Sequence, residues 1–529
     1  MDMLWSGWGS PAEATPLPES VVGLLGELLG VRRADTPPRA LADLAVPASR
    51  LGGAAREAIT RAVGGSEHVR TDDESRIRHT RGKSTPDLLR IRAGELGDAP
   101  DAVVRPADHA QVLAVLRACA EQGVAVVPFG GGTSVVGGLA PRGHGGFIAL
   151  DLRRLDQLVR LDPVSRTAVL QTGLRGPQAE ALLNEQGFTL GHFPQSFEWA
   201  TIGGFAAARS SGQASAGYGR FDEMVTGLTA ATPQGTLEAG RAPRSAAGPD
   251  LRQLLLGSEG AFGVITSVTV RVRPLPQTRI YEAWRFGSFA AGREALRGLA
   301  QDGPLPTVLR LSDETETMIG LAKPGSVGGG FEAAGCLAII GYEGTPAEAA
   351  DVRDRVRAVL GDRGAEYLGE EQGTAWSHGR YSAPYLRDAL LDVGAFAETL
   401  ETAGYWSALP ALYDAVRQAL TDTLTAAGTP PLVMCHISHV YPTGASLYFT
   451  VVSAQGQDPV AHWAPAKLAA NEAIRAAGGT ISHHHGVGTD HRAAYAEEIG
   501  PLGVAVLHAV KAALDPVGIL NPGILLPPR

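Results

Sequence analysis

Three glycine-rich turns, each abutting a strand or a helix, limit what this chain can fold into more than any other feature. The first, Pro128-Phe129-Gly130-Gly131-Gly132-Thr133-Ser134, follows directly on an apolar strand. Successive glycines expose backbone N–H groups and let a diphosphate approach closely. No lysine follows, so this is not a Walker A loop. Val135 sits where the Rossmann spacing needs its third glycine. The second segment runs Glu198-Trp199-Ala200-Thr201-Ile202-Gly203-Gly204-Phe205, continues to Gly212 and reaches Tyr218-Gly219. Its small-residue helix face allows a flat ring or a diphosphate to lie against backbone. The third, Gly257-Ser258-Glu259-Gly260-Ala261-Phe262-Gly263-Val264-Ile265-Thr266, is a turn feeding a strand. Taken singly, the three read equally well as a tight turn, a closely packed helix and a β-turn.

Composition narrows the class. At 529 residues the chain has room for about three domains, or two large ones. Apolar residues at 44% and charged residues at 19% are those of a packed globular protein. No stretch approaches ~18 uninterrupted apolar residues, which excludes a membrane span. A net charge of −9 without a dense Lys/Arg block excludes nucleic acid as a partner. Lysine occurs only at Lys83, Lys323, Lys467 and Lys511, which reads as the codon usage of a GC-rich bacterium. Cys119, Cys336 and Cys435 are far apart and set among apolar residues, as reduced, buried thiols of a cytoplasmic protein would be. Neither a secretory leader nor a Ser-Lys-Leu address is read at the ends.

Along the chain, residues 1–95 read as a helical adapter that opens on Trp5, Gly7 and Trp8, with helices near 19–31 and 51–64. An α+β domain is expected over 96–276. In it Asp108 caps a helix with apolar residues at 112, 115, 116 and 119, Gly123 closes it, and His109 lies on its surface. Strands follow at 124–127, 167–171 and 264–272, with a helix at 177–186. Pro274-Leu275-Pro276 marks a boundary. A second α+β domain is expected over 277–495, with strands at 336–342 and 447–452. Residues 496–529 form a helical segment that returns to the first domain.

His483-His484-His485-Gly486-Val487-Gly488 carries the most chemistry. On an extended strand only His483 and His485 would share a face and an ion. His436, His439 and His491 could add ligands, but no acidic partner is evident, so no metal is assigned. A cluster of imidazoles that moves protons is the reading adopted.

Together, in this order and spacing, the glycine segments resemble the PCMH-type FAD-binding domain of the vanillyl-alcohol-oxidase type of flavoprotein. Further pieces resemble the alkyl-dihydroxyacetone-phosphate synthases of that family. They are Trp5-Ser6-Gly7-Trp8-Gly9, His79-Thr80-Arg81-Gly82, Gly191-His192-Phe193-Pro194-Gln195-Ser196-Phe197-Glu198-Trp199, Leu309-Arg310-Leu311-Ser312-Asp313, Tyr385-Leu386-Arg387-Asp388 and the histidine triplet. The resemblance implies an α+β fold: a two-subdomain FAD-binding domain plus an α+β cap. It places FAD against Pro128, Gly130, Gly131, Gly132, Thr133, Ser134, Gln195, Ser196, Thr201, Gly203, Gly204, Gly257, Glu259, Gly260, Gly263, Val264 and Ile265. The FAD is expected to be non-covalent, because residues 128–138 include no His or Cys.

On the substrate side the resemblance implies His192, Tyr448 and His483, His484 and His485 as catalytic, with Tyr441 as a rival for Tyr448, and Arg310 and Arg387 on a phosphate. The implied reaction exchanges the acyl chain of an acyl-dihydroxyacetone phosphate for a long-chain alcohol through a flavin N5 adduct, without net redox. Gln195, Ala200 and Thr489 depart from the eukaryotic pattern. The alternative is an FAD-linked 2-hydroxy-acid dehydrogenase or oxidase of the lactate or glycolate type. Small phosphate and lipid substrates, peripheral membrane contact and a homodimer are expected. A lid is expected around Ile319, Leu321 and Gly328-Gly329-Gly330-Phe331.

Overall fold

The computed structural model describes residues 3–33, 39–143, 145–320 and 335–528. Of the lid expected near residues 320–340, positions 321–334 lie outside the described residues, and Ile319 packs on the core.

The first half holds two sheets. In a four-stranded sheet, Ala102–Val104 and Ala125–Phe129 both run parallel to Phe147–Asp151. Parallel strands need crossovers and buried faces. Here the helices Gly53–Val63 and His109–Gln122 cover the sheet through Ile59, Val63, Val112, Val115 and Leu116. Asp108 Oδ1 accepts from the Gln111 N–H, and Gly123 ends the helix at φ 65°. His109, expected on the surface, is instead half-buried between Thr266 Oγ1 and Thr236 Oγ1, each at 2.8 Å. A five-stranded antiparallel sheet follows, ordered Leu158–Asp162, Thr167–Gln171, Val264–Arg271, Val225–Thr232, Gly235–Ala239. The helices Gly176–Asn184 and Ile202–Ala208 pack on it.

The second half is a seven-stranded antiparallel sheet, in the order Glu366–Gly369, Thr278–Phe286, Cys336–Gly344, Val308–Ser312, Leu432–Ile437, Gly444–Ala454, Ala395–Tyr405. Period-2 alternation divides its faces. Val433, Cys435, Ile437, Leu447, Phe449 and Val451 face a layer of four helices, Phe289–Asp302, Pro346–Asp362, Leu409–Ala426 and Pro459–Ala476. Arg310, His436, Tyr448 and Thr450 face the other way, toward the first half.

The two ends of the chain tie the halves together. Lys83 Nζ donates to the Leu4 and Trp5 carbonyls at 2.8 and 3.1 Å, and the Trp8 N–H donates to Asp388 of the second half. All three cysteines are free and buried. The last helix, Arg492–Leu514, starts earlier than its apolar pattern shows and breaks at Gly500. Beyond it Asp515 accepts from the Gly518, Ile519 and Leu520 N–H groups at 3.0, 3.1 and 2.7 Å, and from Lys511 Nζ at 2.6 Å. That turn lets Leu520 bridge Val126 as an extra parallel partner of the first sheet. Asp515→Ala leaves these donors unmet. It is expected to cost about 3 kcal/mol, the scale for losing a buried charged acceptor, read as a lower denaturant midpoint.

Candidate active site

A cavity of about 890 Å³ lies where the glycine segments face the open side of the seven-stranded sheet. That volume is at the upper end for small-molecule sites. Pro128, residues 130–134, Gln195, Ser196, Thr201, Gly203, Gly204, Glu259, Gly260 and residues 263–265 all line it. The floor is backbone by necessity: a Cβ at Gly131 would overlap the Trp199 carbonyl. Thr201 Oγ1 caps the following helix by accepting from the Gly204 N–H at 3.3 Å, which fixes Gly203 and Gly204 at the wall. A floor of exposed peptide groups with no side chains above it fits the diphosphate of FAD, and the small-residue face of Ile202–Ala208 fits a flat ring.

Two of the expected cofactor contacts come out differently. Gly257 does not line the cavity. It is a turn residue at φ 79°, donating to the Ala206 carbonyl at 3.0 Å. Glu259 is at the wall, but its carboxylate accepts from the Val487 and Gly488 N–H groups, both at 2.9 Å. That carboxylate anchors the histidine loop; burial raises its pKa to about 7.

The opposite wall is built by strand register. His436 pairs with Tyr448, and Tyr448 with Glu401, so the three stand in one row across three strands. Glu401 is fully buried and receives the triplet loop. Its oxygens accept from Ser482 Oγ at 2.8 Å and from the backbone N–H groups of His483, His484 and His485 at 2.8, 3.0 and 2.8 Å. Three consecutive N–H groups converging on one carboxylate curve the chain. The triplet is therefore not the extended strand the sequence reading assumed. His439, His483 and His484, rather than His483 and His485, bring ligand atoms within 4.8 Å of one another. Within that group the His483 and His484 Nδ1 atoms already share a hydrogen bond of 2.9 Å.

Burial opposes charge throughout the cluster. It lowers the pKa of His484, pushes His485 down to about 3, and holds His483 and His439 well below the usual range. Burial alone would raise Glu401, yet His484, His485, His483 and the His484 N–H outweigh it and keep this carboxyl well below normal. Tyr448 is pushed up to about 12 by burial. Near neutral pH the site thus offers uncharged imidazoles beside an uncharged phenol, over a fixed carboxylate. The Tyr448 ring stacks on His436 at 4.8 Å and meets His485 edge-on at 5.5 Å. Tyr441 does not line the cavity; its hydroxyl pairs with His483 Nε2 at 2.6 Å. His483 is likewise behind the wall, whereas His484 and His485 are on it.

His192 is not at the wall either. It lies buried between the Phe205 and Phe221 rings, with Nε2 3.0 Å from Ser210 Oγ. Ser210 lines the cavity, so His192 reaches it only through that hydroxyl. Arg310 and Arg387 both line it. Arg310 pairs with Glu316 and lies 3.0 Å from His436 Nδ1, with Nε left unpartnered. Arg387 has its donors taken by Asp388 and the Lys83 carbonyl, an anchoring role rather than an open fork. Sequence reasoning missed Glu401, Glu316, Arg380 and the site role of His439. Neither glutamate stands out locally: Glu316 follows Asp313 and Glu314, and Glu401 follows Glu398, so no signal in the sequence singles them out.

The imidazoles set an expectation for pH. His485 has a folded pKa of about 3 against an ordinary 6.5, so its contribution to stability is complete above 6.5 and is lost as pH falls toward 3. Glu259 and Glu398, both raised to about 7 by burial, act in the opposite sense. A variant comparison therefore isolates the imidazole: His485→Gln should lose less melting temperature than the wild type between about pH 6.5 and 4.5. Equal losses in both proteins would show that His485 does not titrate as argued.

Residues 100–240 match the family model "FAD binding domain", and residues 275–525 match "FAD linked oxidases, C-terminal domain". Alkyldihydroxyacetonephosphate synthase of Dictyostelium discoideum is 34% identical over 482 residues, which cover 87% of this chain and 79% of that one. The synthase of Trypanosoma brucei brucei is 33% identical over 489 residues, 88% and 80% of the two chains. A solved structure of an alkyldihydroxyacetonephosphate synthase superposes with a TM-score of 0.82 at 30% identity, covering 98% of each chain. With two-domain FAD-binding architecture, a cavity floored by backbone and this degree of identity, the chain belongs to the alkyldihydroxyacetonephosphate synthase family of FAD-dependent enzymes.

Proposed function

We propose that the protein replaces the acyl chain of an acyl-dihydroxyacetone phosphate with a long-chain alcohol, releasing the fatty acid, with no net oxidation or reduction. The observation that carries this reading is the row His436, Tyr448, Glu401 beneath the triplet: it sets imidazoles and a phenol, the groups suited to proton transfer, beside a carboxylate that fixes the loop. Bound FAD supplies the flavin ring that activates the substrate carbon next to the carbonyl. The chain's own residues handle the protons. His484 has its Nδ1 occupied by His483 and 3.5 Å from Glu401, which leaves Nε2 to take the proton from that carbon and to return one to it as the alkyl product forms. Neutral imidazole is the competent base, and burial keeps it neutral. The Tyr448 hydroxyl, still protonated at neutral pH, donates toward the departing carboxylate and recovers a proton from the incoming alcohol. Glu401 is a positioning residue that fixes the orientation of the triplet.

The FAD-linked 2-hydroxy-acid oxidoreductase reading has the second family model and a 27% identical D-lactate dehydrogenase of Arabidopsis thaliana in its favour. The two make different demands. An alkyl-for-acyl exchange run without oxygen or any electron acceptor should turn over, and Tyr448→Phe should slow it by ~10²–10⁴, the usual contribution of a general acid or base, with dithionite-reducible FAD retained. Turnover only with an added acceptor would sink the exchange reading. Chelators should leave the rate unchanged; loss that Zn²⁺ restores would mark His439, His483 and His484 as ligands.

This reading extends to cofactor attachment and setting. The FAD is non-covalent, so acid precipitation should release all the yellow colour, and a flavin peptide surviving digestion would refute it. The protein is a cytoplasmic homodimer that meets its lipid substrates at a membrane surface. No helix among the described residues is long and apolar enough to cross a membrane. Liposome flotation and light scattering test both points.

A further inference from the structure

Three arginines line the cavity, and their charges are not equally committed. Arg310 is paired with Glu316, and Arg387 with Asp388. Arg380 has no such pair among the described residues. Its Nε and Nη1 are buried without any hydrogen-bond partner. A guanidinium has five donors and no way to discharge itself, so open donors in a buried setting are costly unless a ligand meets them.

The side chain is held where it is. Its guanidinium lies 4.9 Å from the Phe193 ring centre and 5.0 Å from that of Tyr381, and both rings contact Phe197. The Arg380 carbonyl accepts from Gln213 Nε2 at 3.1 Å. Three further polar atoms at this wall are buried and unpartnered: Tyr381 Oη, Gln195 Nε2 and Gln213 Oε1. An arginine fork, a phenol and a carboxamide NH₂ make a donor set for an anion with several oxygens. A carboxylate has two oxygens to offer, whereas a phosphate monoester has three and suits a planar fork.

We propose that Arg380, with Tyr381 and Gln195, forms the subsite that takes the phosphate monoester of the substrate. This rests on the acyl-exchange reading above and assigns the phosphate to a residue that the sequence analysis passed over. It also leaves Arg387 its anchoring hydrogen bonds. The same donors would suit the diphosphate of FAD, so the experiment must separate the two sources.

Holoenzyme carrying Arg380→Gln and Arg380→Lys is compared with wild type by flavin absorbance, by calorimetric titration with glycerol 3-phosphate, and by steady-state exchange kinetics. Arg380→Gln should keep its FAD and bind glycerol 3-phosphate at least about tenfold more weakly, the value of one charge-assisted hydrogen bond. KM for the acyl substrate should rise in parallel with little change in kcat, and Arg380→Lys should recover part of the affinity. Glycerol serves as the uncharged control and should not distinguish the proteins. Unchanged affinity in Arg380→Gln, or no glycerol 3-phosphate binding by wild type, overturns the subsite. Loss of FAD along with affinity overturns it too, by assigning the cation to the cofactor. If the phosphate effect is present but no protein exchanges acyl for alkyl, the subsite stands and the exchange reading falls.

Discussion

The carboxylate of Glu401 is the point on which the site hangs. It accepts from a serine hydroxyl and from three successive backbone N–H groups, and so decides where three imidazoles point. Such an anion, fully buried, is stable only because the donors surround it. A second, half-buried carboxylate repeats the device from the opposite side. Glu259, on the third glycine turn, takes the Val487 and Gly488 N–H groups at the far end of the same loop. The loop 482–488 is therefore gripped by one acid from each half of the molecule. The backbone N–H groups of that loop, with the Ser482 hydroxyl, hold the halves in register.

This arrangement explains how neutral side chains can crowd together at the cavity wall. The imidazoles do not need to be charged to stay in place, because the peptide groups beneath them carry the attachment. They are left free to exchange protons. The glycines follow the same logic: Gly488, at φ 53°, would drive a Cβ into the Val136 carbonyl, so close backbone contact between loop and floor excludes any side chain there.

The parts legible in the sequence were those written in local pattern. The glycine segments reach the cavity because backbone approach requires glycine wherever it occurs, and the alternation along 444–454 places Tyr448 on one face. What could not be read depends on partners far apart in sequence. Glu401 lies 82 residues before His483, in a strand that looks like core. The triplet was read as extended because nothing adjacent announces the acid that bends it. His192 Nε2 meets Ser210, and Arg387 meets Asp388 and the Lys83 carbonyl, partners that no local pattern announces. Arg380 is the converse: an unremarked arginine whose Nε and Nη1 meet no acceptor.

The turn at Asp515 bears on how the molecule is made. Ile519 and Leu520 belong to the same buried cluster as Ile59, Val112, Leu116 and Ile148, and Leu520 extends the sheet beside Val126. More than 350 residues, the whole seven-stranded half among them, leave the ribosome between those early strands and the pieces that complete their core. The first half thus waits, with one sheet edge open, until Ile519 and Leu520 emerge. Its final closure is an act of the entire chain, and the dinucleotide floor built on Phe129 and the glycines after it inherits that dependence.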